Sequence, residues 1–248
     1  NGPVDRGFIG HKSAKMMKRA KSVEARKLKA AEEKSGLLQN LETAEDLKLF
    51  PLSYFADTLV SFSEVAPVYD GKEVCRPVSF TVRRGERIAL DGGNGSGKSS
   101  LLKLLKGDDI DHRGTVAVGS GLVISYVPQD TAGLAGSLSD FAEKKQIEES
   151  LFKAVLRKMG FERVHFEKRI EDLSAGQKKK VLIAGSLCQR AHLYVWDEPL
   201  NYIDIYSRIQ IENLIKKFSP AMIFVEHDAA FRKAAATKTV EIYTLDNR

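Results

Sequence analysis

The chain has 248 residues, 43% of them hydrophobic, which suits one domain of moderate size with a core and an appendage. No run of eighteen or so apolar residues is present, which argues against a membrane-spanning helix, and residues 1–10 have neither the apolar stretch nor the small-residue cleavage site of a signal peptide. The formal net charge is +6, and the segment from Lys12 to Lys34 supplies all of it, with nine Lys or Arg against three Glu, while thirty basic and thirty acidic residues cancel elsewhere.

Such a localised basic stripe points to a polyanion partner, either nucleic acid or a membrane surface. Cys75 and Cys188 have no metal-ligand spacing around them, so they read as two reduced core thiols of a cytoplasmic protein. Residues 11–48 are rich in Lys, Ala, Glu, Leu and Met and read as helix, interrupted only at Gly36. Apolar residues are sparse and small in the first half, so that half reads as an arm that would reach roughly 35 Å if helical from Lys12 to Lys34. Residues 1–50 are thus expected to form a basic helical arm and 51–248 a separate domain. The helical pattern ends at Phe50-Pro51-Leu52, because Pro disfavours helix in the residue before it.

The composition then changes. Strands are expected at 58–65, 78–82, 87–90, 116–118, 122–127, 193–196 and 222–225, where β-branched, aromatic or aliphatic residues alternate or cluster. Helical patterns fill 99–106, 137–159, 175–190 and 205–217. Strands alternating with helices predict an α/β domain with a largely parallel sheet.

Three stretches carry chemistry. Gly92-Gly93-Asn94-Gly95-Ser96-Gly97-Lys98-Ser99 matches the phosphate-binding pattern G-x-x-x-x-G-K-[ST], with a strand before it and a helix after it. Its glycines let several N–H groups face one phosphate, and the helix N-terminus adds positive partial charge. Lys98 would reach the β- and γ-phosphates, Ser99 would ligate Mg²⁺, and Ser100 follows in the same turn. The second stretch, Leu193-Tyr194-Val195-Trp196-Asp197-Glu198, is a buried-type strand ending in two carboxylates. Asp197 would hold Mg²⁺ through water and Glu198 would serve as general base. The third stretch is Leu173-Ser174-Ala175-Gly176-Gln177.

That third stretch resembles the LSGGQ signature of ABC ATPases, with Ala175 in place of the first glycine. The order of motifs is similar too: phosphate loop, Gln129 in Tyr126-Val127-Pro128-Gln129, signature, Asp-Glu strand, then His227 in Phe224-Val225-Glu226-His227-Asp228. The resemblance covers residues 60–245 or so. It implies a P-loop NTPase fold of ABC type, with a mixed sheet core and a helical subdomain at about 131–172, and ATP and Mg²⁺ as ligands. It makes Gln129 the Q-loop residue near Mg²⁺ and water, and His227 the switch residue at the γ-phosphate. Asn201-Tyr202-Ile203-Asp204 becomes the D-loop, and Tyr69 sits where the family stacks adenine. Ser174, Ala175, Gly176 and Gln177 would open a helix onto the ATP held by a second ABC domain, in the same parent chain or in a homodimer.

Two further stretches resemble the ABC-F class. Lys178-Lys179-Lys180-Val181 extends the signature as that class does, and the segment around Gly10-His11-Lys12-Ser13-Ala14-Lys15-Met16-Met17-Lys18-Arg19 resembles its inter-domain linker. Glu198-Pro199-Leu200-Asn201-Tyr202-Ile203-Asp204-Ile205 resembles the second ABC domain of the Lsa- and Vga-type resistance proteins. The resemblance implies a ribosomal partner (rRNA and tRNA, met by the basic arm), no membrane partner, and antibiotic resistance by ribosome protection. It also implies that one linker arm and a C-terminal ABC domain are present without the first ABC domain, so ATP would be bound but hydrolysed poorly by the chain alone. The alternative is the ATPase subunit of a membrane transporter. A chromosome or DNA-repair ATPase would need very long coiled coils between loop and signature, and a purely ATP-sensing module would not need Lys98, Asp197, Glu198 and His227 together.

Overall fold

The structure, a computed structural model, describes residues 47–245. The basic arm expected at 1–50 lies almost wholly outside those residues. Eleven strands, seven α-helices and a short 3-10 helix (Ile170–Asp172) are present among the described residues. In chain order they are β1 (Phe50–Pro51), β2 (Thr58–Tyr69), β3 (Lys72–Glu73), β4 (Val78–Arg83), β5 (Arg87–Asp91), α1 (Lys98–Lys106), β6 (His112–Val118) and β7 (Ile124–Val127). There follow α2 (Leu138–Lys144), α3 (Glu149–Lys158), α4 (Arg163–Phe166), α5 (Ala175–Cys188), β8 (Arg190–Ala191), β9 (Leu193–Asp197), α6 (Ile205–Phe218), β10 (Met222–Val225), α7 (Ala229–Ala235) and β11 (Lys238–Glu241).

Five strands form one parallel sheet in the order β11-β5-β10-β9-β7. Its central strands β5, β10 and β9 are largely apolar and buried, as strands covered on both faces must be, while the edge strand β11 is mostly exposed. Alternate side chains go to opposite faces because the strand period is two. Leu193 and Val195 of β9, Ile223 and Val225 of β10, and Ile88 and Leu90 of β5 enter one core with α1 and the strands β2 and β4. Tyr194, Trp196, Met222, Phe224 and Ala89 enter the other, with α2, α3, α5 and α6. Trp196 is fully buried, and its indole N–H donates to Ser186 Oγ at 2.9 Å, so its single polar group is satisfied there.

The expectation of a largely parallel sheet holds for this layer and misses the other. Strands β3, β2, β4 and β6 make a second, antiparallel sheet built around the long β2. The expected helix at 137–159 is two helices, α2 and α3. Gln146 takes a left-handed backbone (φ 54°), which ends the first, and the Glu148 carboxylate accepts the N–H of Leu151 to start the second. Ser137 opens α2 with a capping box to Asp140. Helix α5 stops at Cys188 rather than 190, because Arg190 and Ala191 pair with β1. Strand β11 and helix α7 were not expected from the sequence. Among the described residues no helix is long and apolar enough to cross a membrane.

Candidate active site

Parallel strands in near-flush register bring everything that follows their C-terminal ends to one edge of the sheet. Val225 of β10 is level with Leu90 of β5 and with Asp197 of β9, and Trp196 of β9 is level with Val127 of β7. The glycine loop follows β5, Asp197 and Glu198 close β9, His227 follows β10, and Gln129 follows β7. Four stretches far apart in sequence therefore meet by topology alone.

Within the loop, residues 92–97 lead directly into α1. A Cβ placed at Gly93 or Gly95 would meet no atom within 4 Å, so that face of the loop is open to a ligand. Asn94 and Gly95 form an exposed turn, Ser96 is buried, and Gly97 is the N-cap of α1. The first N–H groups of the helix point into the loop, as an anion site requires. Lys98 lays its ammonium across the loop, donating to the carbonyls of Gly92 and Gly93 at 2.8 Å each. Burial pulls its pKa below the usual lysine value, and Glu198, Asp91 and Asp197 oppose that pull.

Asp197 is 1% exposed, and neither of its carboxylate oxygens has a hydrogen-bond partner of normal geometry. Burial raises its pKa, and the nearby Ser99 hydroxyl works against the rise without closing a well-formed bond. A buried, unpartnered carboxylate is costly unless something charged joins it. Ser96 Oγ is likewise buried and unpartnered. These residues fit a divalent cation held partly by phosphate oxygens, the way Mg²⁺ is usually bound. Among the described residues no three His, Cys, Asp or Glu side chains form a cage of their own.

Glu198 is differently placed. Its backbone is left-handed (φ 46°), and its N–H donates to Val225 O at 2.9 Å. Its carboxylate is held from two sides, by Asn201 Nδ2 at 2.5 Å on Oε2 and by His227 Nε2 at 3.1 Å on Oε1. His227 is exposed, and its loop is fixed by the buried Glu226, which accepts the N–H groups of His227, Asp228 and Leu200. Arg232 donates to Glu226 O at 2.8 Å and pairs with Asp91 at 3.2 Å, tying the His227 loop to the base of the glycine loop.

Gln129 is exposed, and its backbone rather than its side chain is anchored. Lys179 is 1% exposed, and its ammonium donates to the carbonyls of Pro128 (2.9 Å), Gln129 (3.0 Å) and Asp197 (3.4 Å). One buried cation thus pins the Gln129 loop to the end of β9. Tyr69, at the end of β2, puts its hydroxyl 2.9 Å from Ser100 Oγ with its ring half exposed, so it does stand beside the loop.

The signature residues begin α5. Ser174 is the N-cap, its hydroxyl accepting the N–H of Gln177 at 3.2 Å while Gln177 Oε1 accepts the N–H of Ser174 at 2.9 Å. Ala175 is exposed beside them. Gly176 is fixed by close approach: a Cβ there would lie 2.5 Å from the carbonyl oxygen of Tyr202. Lys180, one turn on, pairs with Asp204 at 2.5 Å, which links the signature helix to the D-loop. Gly176→Ala should lower the melting temperature, at a cost of about 1–3 kcal/mol, although Ala normally favours helix over Gly. A raised melting temperature would contradict the contact.

Asn201, Lys179 and Arg232 are the site residues that the sequence did not assign. Asn201 stood inside a recognised motif without a role, Lys179 was hidden in a run of three lysines, and Arg232 lies in a helix that was not expected.

The chain matches the ABC transporter family over residues 75–201. It is 33% identical over 169 residues to an ATP-binding protein of Bacillus subtilis, YdiF, covering 66% of this chain and 26% of that protein. It is 28% identical over 180 residues to the ABC transporter F family member 2 of Arabidopsis thaliana (70% and 26%), and 27% identical over 173 residues to the ribosome protection protein VmlR of B. subtilis (67% and 31%). The match therefore spans about a quarter to a third of these relatives. In fold it superposes on a solved ATP-binding subunit of an ABC transporter with a TM-score of 0.61 at 22% identity, covering 76% of this chain and 91% of the other. With the family match over half its length and the same fold around its glycine loop, this chain belongs to the ABC transporter family as an ATP-binding, ATP-hydrolysing domain.

Proposed function

We propose that this domain works in a twin-ABC protein of the ABC-F class, driving a cycle of closure and opening on the bacterial ribosome, with protection from ribosome-targeting antibiotics as its task. The observation that carries the ATPase half is the flush register of β5, β10 and β9, which gathers Lys98, Asp197, Glu198 and His227 at one edge. The ribosomal half is supported by the basic segment from Lys12 to Lys34 and by the likeness to VmlR and to F family member 2.

ATP would lie with its β- and γ-phosphates on the N–H groups of the loop from Gly92 to Ser99, and Lys98 would turn from its loop carbonyls to them. Tyr69 would stack on the adenine. Ser99, Asp197 and Gln129 would hold Mg²⁺, which when bound neutralises phosphate charge. Glu198 would take the proton of the attacking water as its oxygen bonds to the γ-phosphorus, and the bridging oxygen would leave with ADP. Asn201 and His227 aim that carboxylate. ABC domains act in pairs, so Ser174, Gly176 and Gln177 would meet the γ-phosphate of the partner's ATP through the start of α5.

Co-sedimentation of the Glu198→Gln chain with ribosomes and with membrane vesicles, in ATP and Mg²⁺, tests the reading. Ribosome binding is expected, weakening tenfold or more between roughly 50 and 200 mM salt. Binding to vesicles and not to ribosomes would favour a transporter subunit instead. Expression of the longer parent in a drug-sensitive bacterium, with lincosamide and pleuromutilin susceptibility measured, tests the resistance role.

A further inference from the structure

Another concave site lies on the helical part of the domain. Lys153 and Arg157 of α3 and Phe161, Arg163 and Phe166 around α4 line a cavity of about 510 Å³. That is room for a nucleotide-sized group. Its floor is aromatic: Phe161 is 5% exposed and meets the Phe166 ring edge-on at 5.7 Å. Arg157 sets its guanidinium over the Phe166 ring, 5.4 Å from the centroid. The rim is cationic. The Arg163 side chain is 96% exposed and only loosely paired with Glu167 at 3.8 Å, and Lys153 pairs with Glu149. From Lys153 to Arg169 there are six Lys or Arg and two Glu, a local excess of +4.

We propose that this cavity binds single-stranded RNA, with a base stacked on the Arg157–Phe166 pair and the flanking phosphates on Arg163 and Lys153. Aromatic or guanidinium platforms with cations beside them are what unpaired bases recognise. An acidic peptide would use the cations and leave the rings idle. A lipid surface would need the rings to protrude, and here they are recessed. The choice of RNA over DNA rests on the ribosomal reading above, while the site itself rests on its own residues.

The test uses the full chain with saturating ATP and Mg²⁺, so that the nucleotide site is filled. A single-stranded RNA of about twelve nucleotides carrying a photoreactive uridine is the probe. Cross-linked peptides are mapped and affinity is read by anisotropy, for the native chain and for Arg157→Glu with Arg163→Glu. Both side chains are exposed, so folding should survive, and an unchanged melting temperature checks it. Cross-links within residues 153–166, lost in the double variant together with about tenfold in affinity, are the expected result. Cross-links confined to residues 12–34 with unchanged affinity in the variant would overturn the proposal, as would equal binding of single-stranded DNA or displacement of the RNA by polyglutamate. Cross-links at 153–166 in a chain that fails to sediment with ribosomes would leave the cavity standing and sink the ribosomal reading alone.

Discussion

Glu198→Gln is expected to cut ATP turnover by about 10²–10⁴-fold while leaving ATP binding intact. Glutamine has the same shape, and the left-handed backbone at this position costs it no more than it costs glutamate. Its amide can still meet Asn201 and His227, so the loop after β9 should keep its form. What disappears is the ability to accept a proton from water. Phosphate release at saturating ATP, set beside binding of a fluorescent ATP analogue, reads the two effects separately. A variant retaining more than a third of the native rate would remove Glu198 from the role of base. Asn201→Ala should lose less, about tenfold, since it only lets the carboxylate wander.

Lys179→Met should cost about 2–4 kcal/mol and lower the melting temperature by roughly 5–15 °C. Methionine fills similar space but leaves the carbonyls of Pro128, Gln129 and Asp197 without their shared donor. Each orphaned acceptor is costly, and relief of the burial that depresses the lysine's pKa offsets only part of it. The substitution should also raise the Mg²⁺ concentration needed for half-maximal turnover, because the Gln129 loop loses its anchor to β9. Lys178→Met is the control. Lys178 is only partly buried, so its removal should stay within about 0.5 kcal/mol. Equal effects at the two positions would refute the buried-cation account.

The contrast between those neighbouring lysines shows what sequence can and cannot reveal. A run of three lysines reads as solvated charge, and nothing in its composition says that the middle one is interior. Spacing alone located the glycine loop, the apolar run before Asp197 and Glu198 gained meaning beside it, and the resemblance to the ABC signature marked the start of α5. Longer strands were legible because their residues alternate or cluster. Strands of two residues, such as β1 and β8, are too short to show a period. The break between α2 and α3 carries no Gly or Pro, since Gln146 supplies the left-handed turn without the usual marker. The alternation of strands and helices pointed only to the parallel layer, and the antiparallel pairing of β2 with β4 and β6 entered the expectation only through the mixed sheet core that the family resemblance implied. The partnership of Asn201 with Glu198 is a fact of side-chain geometry.

Strand β11 has an influence out of proportion to its four residues. It completes the sheet beside β5, with Glu241 level with Asp91, the Ile242 N–H donating to Asp91 O at 2.7 Å and the Arg76 N–H to Tyr243 O at 2.9 Å. A side chain on Gly92 would overlap the carbonyl oxygen of Ile242. The root of the phosphate cradle is therefore braced by residues about 150 positions later in the chain. During synthesis, the root of the cradle is therefore completed only once Ile242 has emerged, long after the glycine loop itself.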